Sequence, residues 1–214
     1  MDRTRPAAAI LAGGRARRFG GEQKSSLRVG GLRIIDRQVA VLRDIADPVF
    51  VVAPDPDPFA DLGLEVTPDI IPGCGALGGV YTAIVRSPRE RTIVVACDMP
   101  FLSAPLLRYM VERDDGDLVI PRSRRGHEPL CAVYAVACAA PIRRRLELGA
   151  LQASQLPEGV RVVEIGPEII ERYDPDDLMF VNVNTPHDFA HAQDLSASMA
   201  EPQHDRITDK HSAS

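Results

Sequence analysis

The sequence predicts an α/β fold: a doubly wound, mostly parallel sheet with helices on both faces, in three α/β/α layers. Two observations carry this. Short apolar runs of strand length alternate with segments of helical periodicity along most of the chain. The clearest run, Thr92-Ile93-Val94-Val95-Ala96, is unbroken and β-branched, as suits a strand covered on both faces. A third observation places the site. Three loops rich in glycine, proline or charge, at 13–24, 69–79 and 97–100, each fall after a strand-like run. In open α/β sheets ligands bind beyond the carboxyl ends of the strands.

In chain order, residues 7–11 read as a short buried strand. Residues 34–43 form a helix with Ile34, Ile35, Val39 and Leu42 inward, and Asp36 and Arg37 outward. Residues 49–53 are the next strand, stopped by Pro54, Pro56 and Pro58, which remove ladder donors. Residues 64–67 are a third strand, and a helix begins at Gly78. After the strand at 92–96, Ser103 is placed to cap a helix whose apolar face is Leu106, Leu107 and Met110. Strands follow at 118–120 and 130–134, a helix at 135–148, a strand at 161–165 and a closing helix at 185–195. From Ser196 onward the chain is polar. It is read as a tail outside a single domain spanning 1–195, dispensable for folding and nucleotide binding.

Composition narrows the function classes. Apolar residues make up 45% and charged residues 26%, so the chain is globular. The formal charge of −5 argues against nucleic acid as a partner. No apolar run is long enough to span a membrane, and the one at 7–11 is too short for the core of an export signal, so the cytoplasm is expected. Cys74, Cys97, Cys131 and Cys138 have irregular spacing and read as reduced thiols. His187 and His191 share a helix face without a third ligand nearby, and Asp174, Asp176 and Asp177 read as a solvated acidic loop.

The first loop carries the strongest signal. Paired glycines, Gly13-Gly14, directly follow the first strand and let backbone amides approach a ligand. Arg18 and Lys24 add charge suited to phosphate. Gln23 before Lys24-Ser25 excludes a Walker A loop, which needs glycine there. The second loop spells GxGxxG from Gly73 to Gly78. It follows Pro72 instead of a strand and comes late in the sheet, so it reads as a second loop around the same nucleotide, or as a turn onto a helix, ahead of a dinucleotide fingerprint. Asp69 is available to accept hydrogen bonds from base or sugar. Asp98 stands just past the 92–96 strand and is a hard oxygen ligand for Mg²⁺, which takes one or two carboxylates plus substrate phosphates. His127, before Glu128-Pro129, is a candidate contact to an acceptor.

Together these segments resemble the molybdenum cofactor guanylyltransferases. The matching residues are Leu11-Ala12-Gly13-Gly14, Arg18-Phe19-Gly20 and Lys24, then Asp69 with 72–79, Cys97-Asp98-Met99-Pro100, Glu128-Pro129-Leu130 before Tyr134, and Asn182-Val183-Asn184-Thr185-Pro186. Phe19, Gln23 and Ala53-Pro54-Asp55 stand where that family often has Met, Asp and Asn. The resemblance implies the fold of the nucleotide-diphospho-sugar transferases. It implies transfer of GMP from GTP to the phosphate of molybdopterin cofactor, with Mg²⁺ and release of pyrophosphate. By resemblance Leu11, Ala12, Gly13, Gly14, Asp69 and Gly78 bind the nucleotide. Lys24 and Arg18 act on its phosphates, Asp98 ligates Mg²⁺, and Asn182 and Asn184 lie near the metal or the acceptor phosphate. Transient contacts with other cofactor-biosynthesis proteins or molybdoenzyme chaperones are also implied. A cytidylyl or sugar-phosphate transferase and a non-catalytic nucleotide-binding adaptor are the alternatives; Gly13-Gly14 favours guanine within the resemblance, and Lys24 with Asp98 favours an enzyme.

Overall fold

The computed structural model describes residues 5–13 and 27–200. The main sheet takes β1 (Ala7–Leu11), β4 (Val49–Val52), β5 (Glu65–Thr67), β6 (Arg91–Ala96), β7 (Leu118–Ser123), β9 (Cys131–Ala135) and β10 (Val162–Ile165) in the order β10-β7-β9-β6-β1-β4-β5. Pairs β1/β4, β1/β6, β4/β5 and β7/β10 are parallel. β9 is antiparallel to both of its neighbours. The sheet is therefore mostly parallel, with one reversed strand near the middle. β8 (Gly126–His127) forms a hairpin on the end of β7.

Helices cover both faces because alternate side chains of each buried strand need a layer on each side. Ala8 and Ile10 of β1, Val51 of β4 and Val95 of β6 pack toward α1 (Ile34–Ile45), α3 (Ala104–Val111) and α5 (Pro167–Tyr173). Ala7, Ala9, Phe50 and Val94 pack toward α2 (Gly75–Arg86) and α4 (Ala139–Glu147). Ser103 caps α3 as expected: its Oγ accepts from Leu106 N at 3.3 Å. The expected helix over 135–148 is split, because a short 3₁₀ turn at Val136–Cys138 precedes α4. The short elements β2 (Arg28–Val29), β3 (Leu32–Arg33), β8 and α5 carry too few periodic residues to be read from sequence.

The boundary expected at Ser196 is corrected. The closing helix α6 runs Pro186–Ala200. Ser196 is buried, and its Oγ accepts from the Arg37 guanidinium at 3.2 Å. Upstream in the same helix, Gln193 pairs twice with the β2–β3 hairpin, accepting from Gly30 N and donating to Arg28 O, each at 2.9 Å. A polar helix face that meets a polar hairpin reads from sequence as solvated. Asp174 is corrected too: it is buried, and its two carboxylate oxygens accept from Leu178 N at 3.2 Å and Met179 N at 2.8 Å. It closes a turn and does not face solvent. Cys97, Cys131 and Cys138 are buried and Cys74 is half-buried. Among the described residues, no helix is long and apolar enough to cross a membrane.

Candidate functional site

The strand order locates the site. From β1 the chain moves outward through β4 to β5, then returns to lay β6 on the other flank of β1. That reversal opens a crevice at the carboxyl ends of β1 and β6, where Leu11 lies in register with Ala96. A pocket of about 300 Å³ occupies the crevice, with Leu11 and Gly13 after β1, Asp69 after β5, and Cys97 and Asp98 after β6 on its walls. The three loops singled out in the sequence therefore meet, as far as their residues are described.

Each wall has a physical reason. Gly13 leaves Asp69 open to the pocket. A Cβ at position 13 would stand 3.6 Å from Asp69 Oδ2 and 3.8 Å from Pro54 Cδ, filling the space between them. Its φ is not positive, so room, and not conformational freedom, is what glycine supplies there. Gly73 and Gly75 do need the left-handed region, with φ of 83° and 60°, to bend the chain into α2. The first turn of α2 then faces the pocket through Gly75, Ala76 and Gly79. No side-chain cap hydrogen bond closes this helix at Cys74, so the first turn that lines the pocket carries the unpaired amides and positive dipole end of a helix N-terminus.

Asp69 is half-buried, and that burial raises its carboxyl above the usual aspartate range, with the nearby Thr82 hydroxyl drawing it partly back. Thr82 Oγ donates to Gly78 O at 2.9 Å and accepts from Ile70 N at 2.9 Å. Among the described residues, Asp69 Oδ1 has no hydrogen-bond partner although it is shielded from solvent. A buried acceptor left open in a pocket wall fits a ligand that brings N–H or O–H donors.

Asp98 sits on the turn after β6. Cys97 N donates to Leu11 O at 3.1 Å, which ties this turn to the end of β1. Val183 N donates to Asp98 O at 2.9 Å, which brings the 182–184 segment alongside and puts Asn184 into the pocket wall. No cluster of three or more His, Cys, Asp or Glu able to hold a metal exists among the described residues. One carboxylate beside an amide side chain fits Mg²⁺ that draws its remaining oxygens from substrate phosphates and water.

Several expected residues are placed elsewhere. Ala12 is outside the pocket; its amide donates to Val52 O at 2.9 Å and it packs against the core. Gly78 is also outside. A Cβ there would lie 2.8 Å from Cys74 Cβ and 3.3 Å from Ile71 O, so its glycine serves close packing of the α2 entry turn. Asn182 does not line the pocket, whereas Asn184 does. His127 is on β8, beyond the pocket lining, with Nε2 2.6 Å from Glu164 Oε1. Gly14, Arg18 and Lys24 lie outside the described residues. Sequence reasoning did not assign Val52, Ala96 or Leu130 to the site, although Leu130 stands in a matching motif; as apolar lining residues their only further signal is that they end buried strands or stand beside one.

Comparison with known proteins places the chain in a family. Residues 8–161 match the family described as MobA-like NTP transferase domain. A probable molybdenum cofactor guanylyltransferase of Pelotomaculum thermopropionicum is 36% identical over 185 residues, 86% of this chain and 90% of that protein. The molybdenum cofactor guanylyltransferase of Desulfosudis oleivorans is 31% identical over 186 residues, 86% of this chain and 92% of that protein. Among solved structures, molybdopterin-guanine dinucleotide biosynthesis protein A from Archaeoglobus fulgidus superposes with a TM-score of 0.74 at 26% identity, covering 90% of this chain and 100% of that one. With the match spanning most of the sheet and all three site loops, the chain belongs to the family of MobA-like NTP transferase domains.

Proposed function

We propose that this protein is a molybdenum cofactor guanylyltransferase: it transfers GMP from GTP to the phosphate of molybdopterin cofactor and releases pyrophosphate. The observation that carries the reading is the convergence of Gly13, Asp69 and Asp98 on one pocket at the β1/β6 reversal. The relatives' names supply the acceptor and the base. In the reaction an acceptor phosphate oxygen attacks the α-phosphorus of GTP. A new P–O–P bond forms, the bond to the β-phosphate oxygen breaks, and pyrophosphate leaves with the electron pair. The acceptor oxygen is already ionised near neutral pH, so the protein's task is positioning and charge stabilisation.

Asp69, with its open Oδ1, is suited to accept from donors on the base or sugar. The uncapped first turn of α2 offers amides to phosphate oxygens. Lys24 and Arg18 bring positive charge to the same phosphates by resemblance to the family motif. Asp98, with Asn184 beside it, would hold Mg²⁺, which when bound neutralises charge on the phosphates. Incubation of the protein with GTP, Mg²⁺ and molybdopterin cofactor, read by mass spectrometry, tests the reading. The acceptor should gain the mass of GMP with one pyrophosphate released per transfer. Addition of CMP from CTP instead, or release of pyrophosphate with no change in the acceptor, would contradict it.

A further inference from the structure

Gln38 lies in the middle of the apolar stripe of α1, one turn from Ile35 and Leu42 and adjacent to Val39, and it is 0% exposed. An aliphatic residue would suit that stripe, and a buried primary amide is costly unless its polar atoms are paired. Gln38 Nε2 donates to Ala96 O at 2.7 Å and to Met99 O at 2.9 Å. Two carbonyl oxygens can be met only by the NH₂ end, so chemistry dictates the orientation of the amide. Gln38 Oε1 is left without a partner among the described residues. The side chain is thus only half satisfied, and the half that is satisfied grips the backbone on both sides of Cys97-Asp98.

The Asp98 carbonyl is held from another direction by Val183 N at 2.9 Å. Three successive anchor points, Ala96 O, Asp98 O and Met99 O, therefore receive donors from outside the turn, and Gln38 supplies two of them. We propose that Gln38 is a positioning residue: from behind the sheet it sets the direction of the Asp98 carboxylate and so the affinity of the site for a divalent cation. This rests on the reading of Asp98 as the cation ligand. Removing a group that orients a metal ligand typically weakens metal binding by roughly 10–100-fold.

The test compares four proteins: wild type, Gln38→Met, Asp98→Asn and the double variant. Methionine keeps the unbranched shape and donates nothing. Mn²⁺ binding in the presence of GTP is followed by the electron paramagnetic resonance signal of free Mn²⁺, and metal-free GTP binding by calorimetry. Gln38→Met should raise the Mn²⁺ dissociation constant roughly tenfold while leaving metal-free GTP affinity unchanged. In the Asp98→Asn background Gln38→Met should have no further effect, because its influence runs through that carboxylate. Wild-type Mn²⁺ binding by Gln38→Met, or an equal loss in both backgrounds, overturns the inference. Wild-type Mn²⁺ binding by Asp98→Asn alone overturns the metal reading and the inference with it. If Gln38→Met does not fold, Gln38→Leu takes its place; failure of both to fold makes Gln38 a core residue only and overturns its positioning role.

Discussion

At the scale of single residues, charge and burial divide the work. Lys24 belongs to the phosphates by resemblance, and Lys24→Ala should lower kcat by roughly 10²–10³, the scale for one preorganised electrostatic donor. Steady-state pyrophosphate release measures this, with circular dichroism unchanged. Asp69 makes a second prediction, with a definite sign. Burial raises its folded carboxyl above the unfolded value, so the native state holds that proton more tightly. Stability is then lost as pH rises from the unfolded to the folded value, and the penalty persists above both. Asp69→Asn should therefore raise the Tm at about pH 7, and the gain should vanish below about pH 3, where both forms are neutral. The same substitution should weaken GTP binding, since Asn offers a poorer acceptor to the ligand's donors. A lower Tm at neutral pH would show that the Asp69 carboxylate is stabilised by its surroundings.

At the scale of elements, adjacent glycines of α2 have opposite jobs. Alanine is the better helix former, so either substitution is favoured by propensity alone. At Gly78 the added Cβ meets Cys74 Cβ at 2.8 Å and Ile71 O at 3.3 Å. Gly78→Ala should cost about 1–3 kcal/mol, the scale of overpacking, in denaturant unfolding. At Gly79 the nearest atom is Leu11 Cδ1 at 3.2 Å, the tip of a side chain that lines the pocket. Gly79→Ala should keep its stability but push Leu11 toward the nucleotide, weakening GTP binding. Equal behaviour of the two variants would contradict this division. Gly78 ends the GxGxxG string and Gly79 directly follows it, but which of the two faces ligand depends on where α2 begins. The structure starts α2 at Gly75, not at Gly78. With that start the pocket is lined by Gly79, whereas Gly78, a contact implied by resemblance alone, packs inside the entry turn. Gln38 was legible in principle, as one polar residue on an apolar stripe. Its partners were not, because they lie about sixty positions away, at the end of β6 and just past the turn that follows it.

At the scale of the whole molecule, buried strands were legible because unbroken apolar runs are strong local signals, and the three loops were legible because glycine, proline and charge coincide there. The reversed β9 and the docking of α6 were not, since both depend on partners distant in sequence. The α6 contacts make a further prediction. A chain ending after Ala200 should keep its Tm, whereas one ending after Leu195 removes Ser196 from Arg37 and should melt several degrees lower. Equal Tm values would show that the last turn of α6 contributes nothing. The central claim is that the pocket between β1 and β6 takes a guanine nucleotide. Titration calorimetry of the intact protein with GTP, CTP, ATP and UTP in Mg²⁺ tests it most directly: GTP should bind at least about tenfold more tightly than the other three, a difference of ~1.4 kcal/mol, and equal affinity for all four, or a preference for CTP, would contradict it.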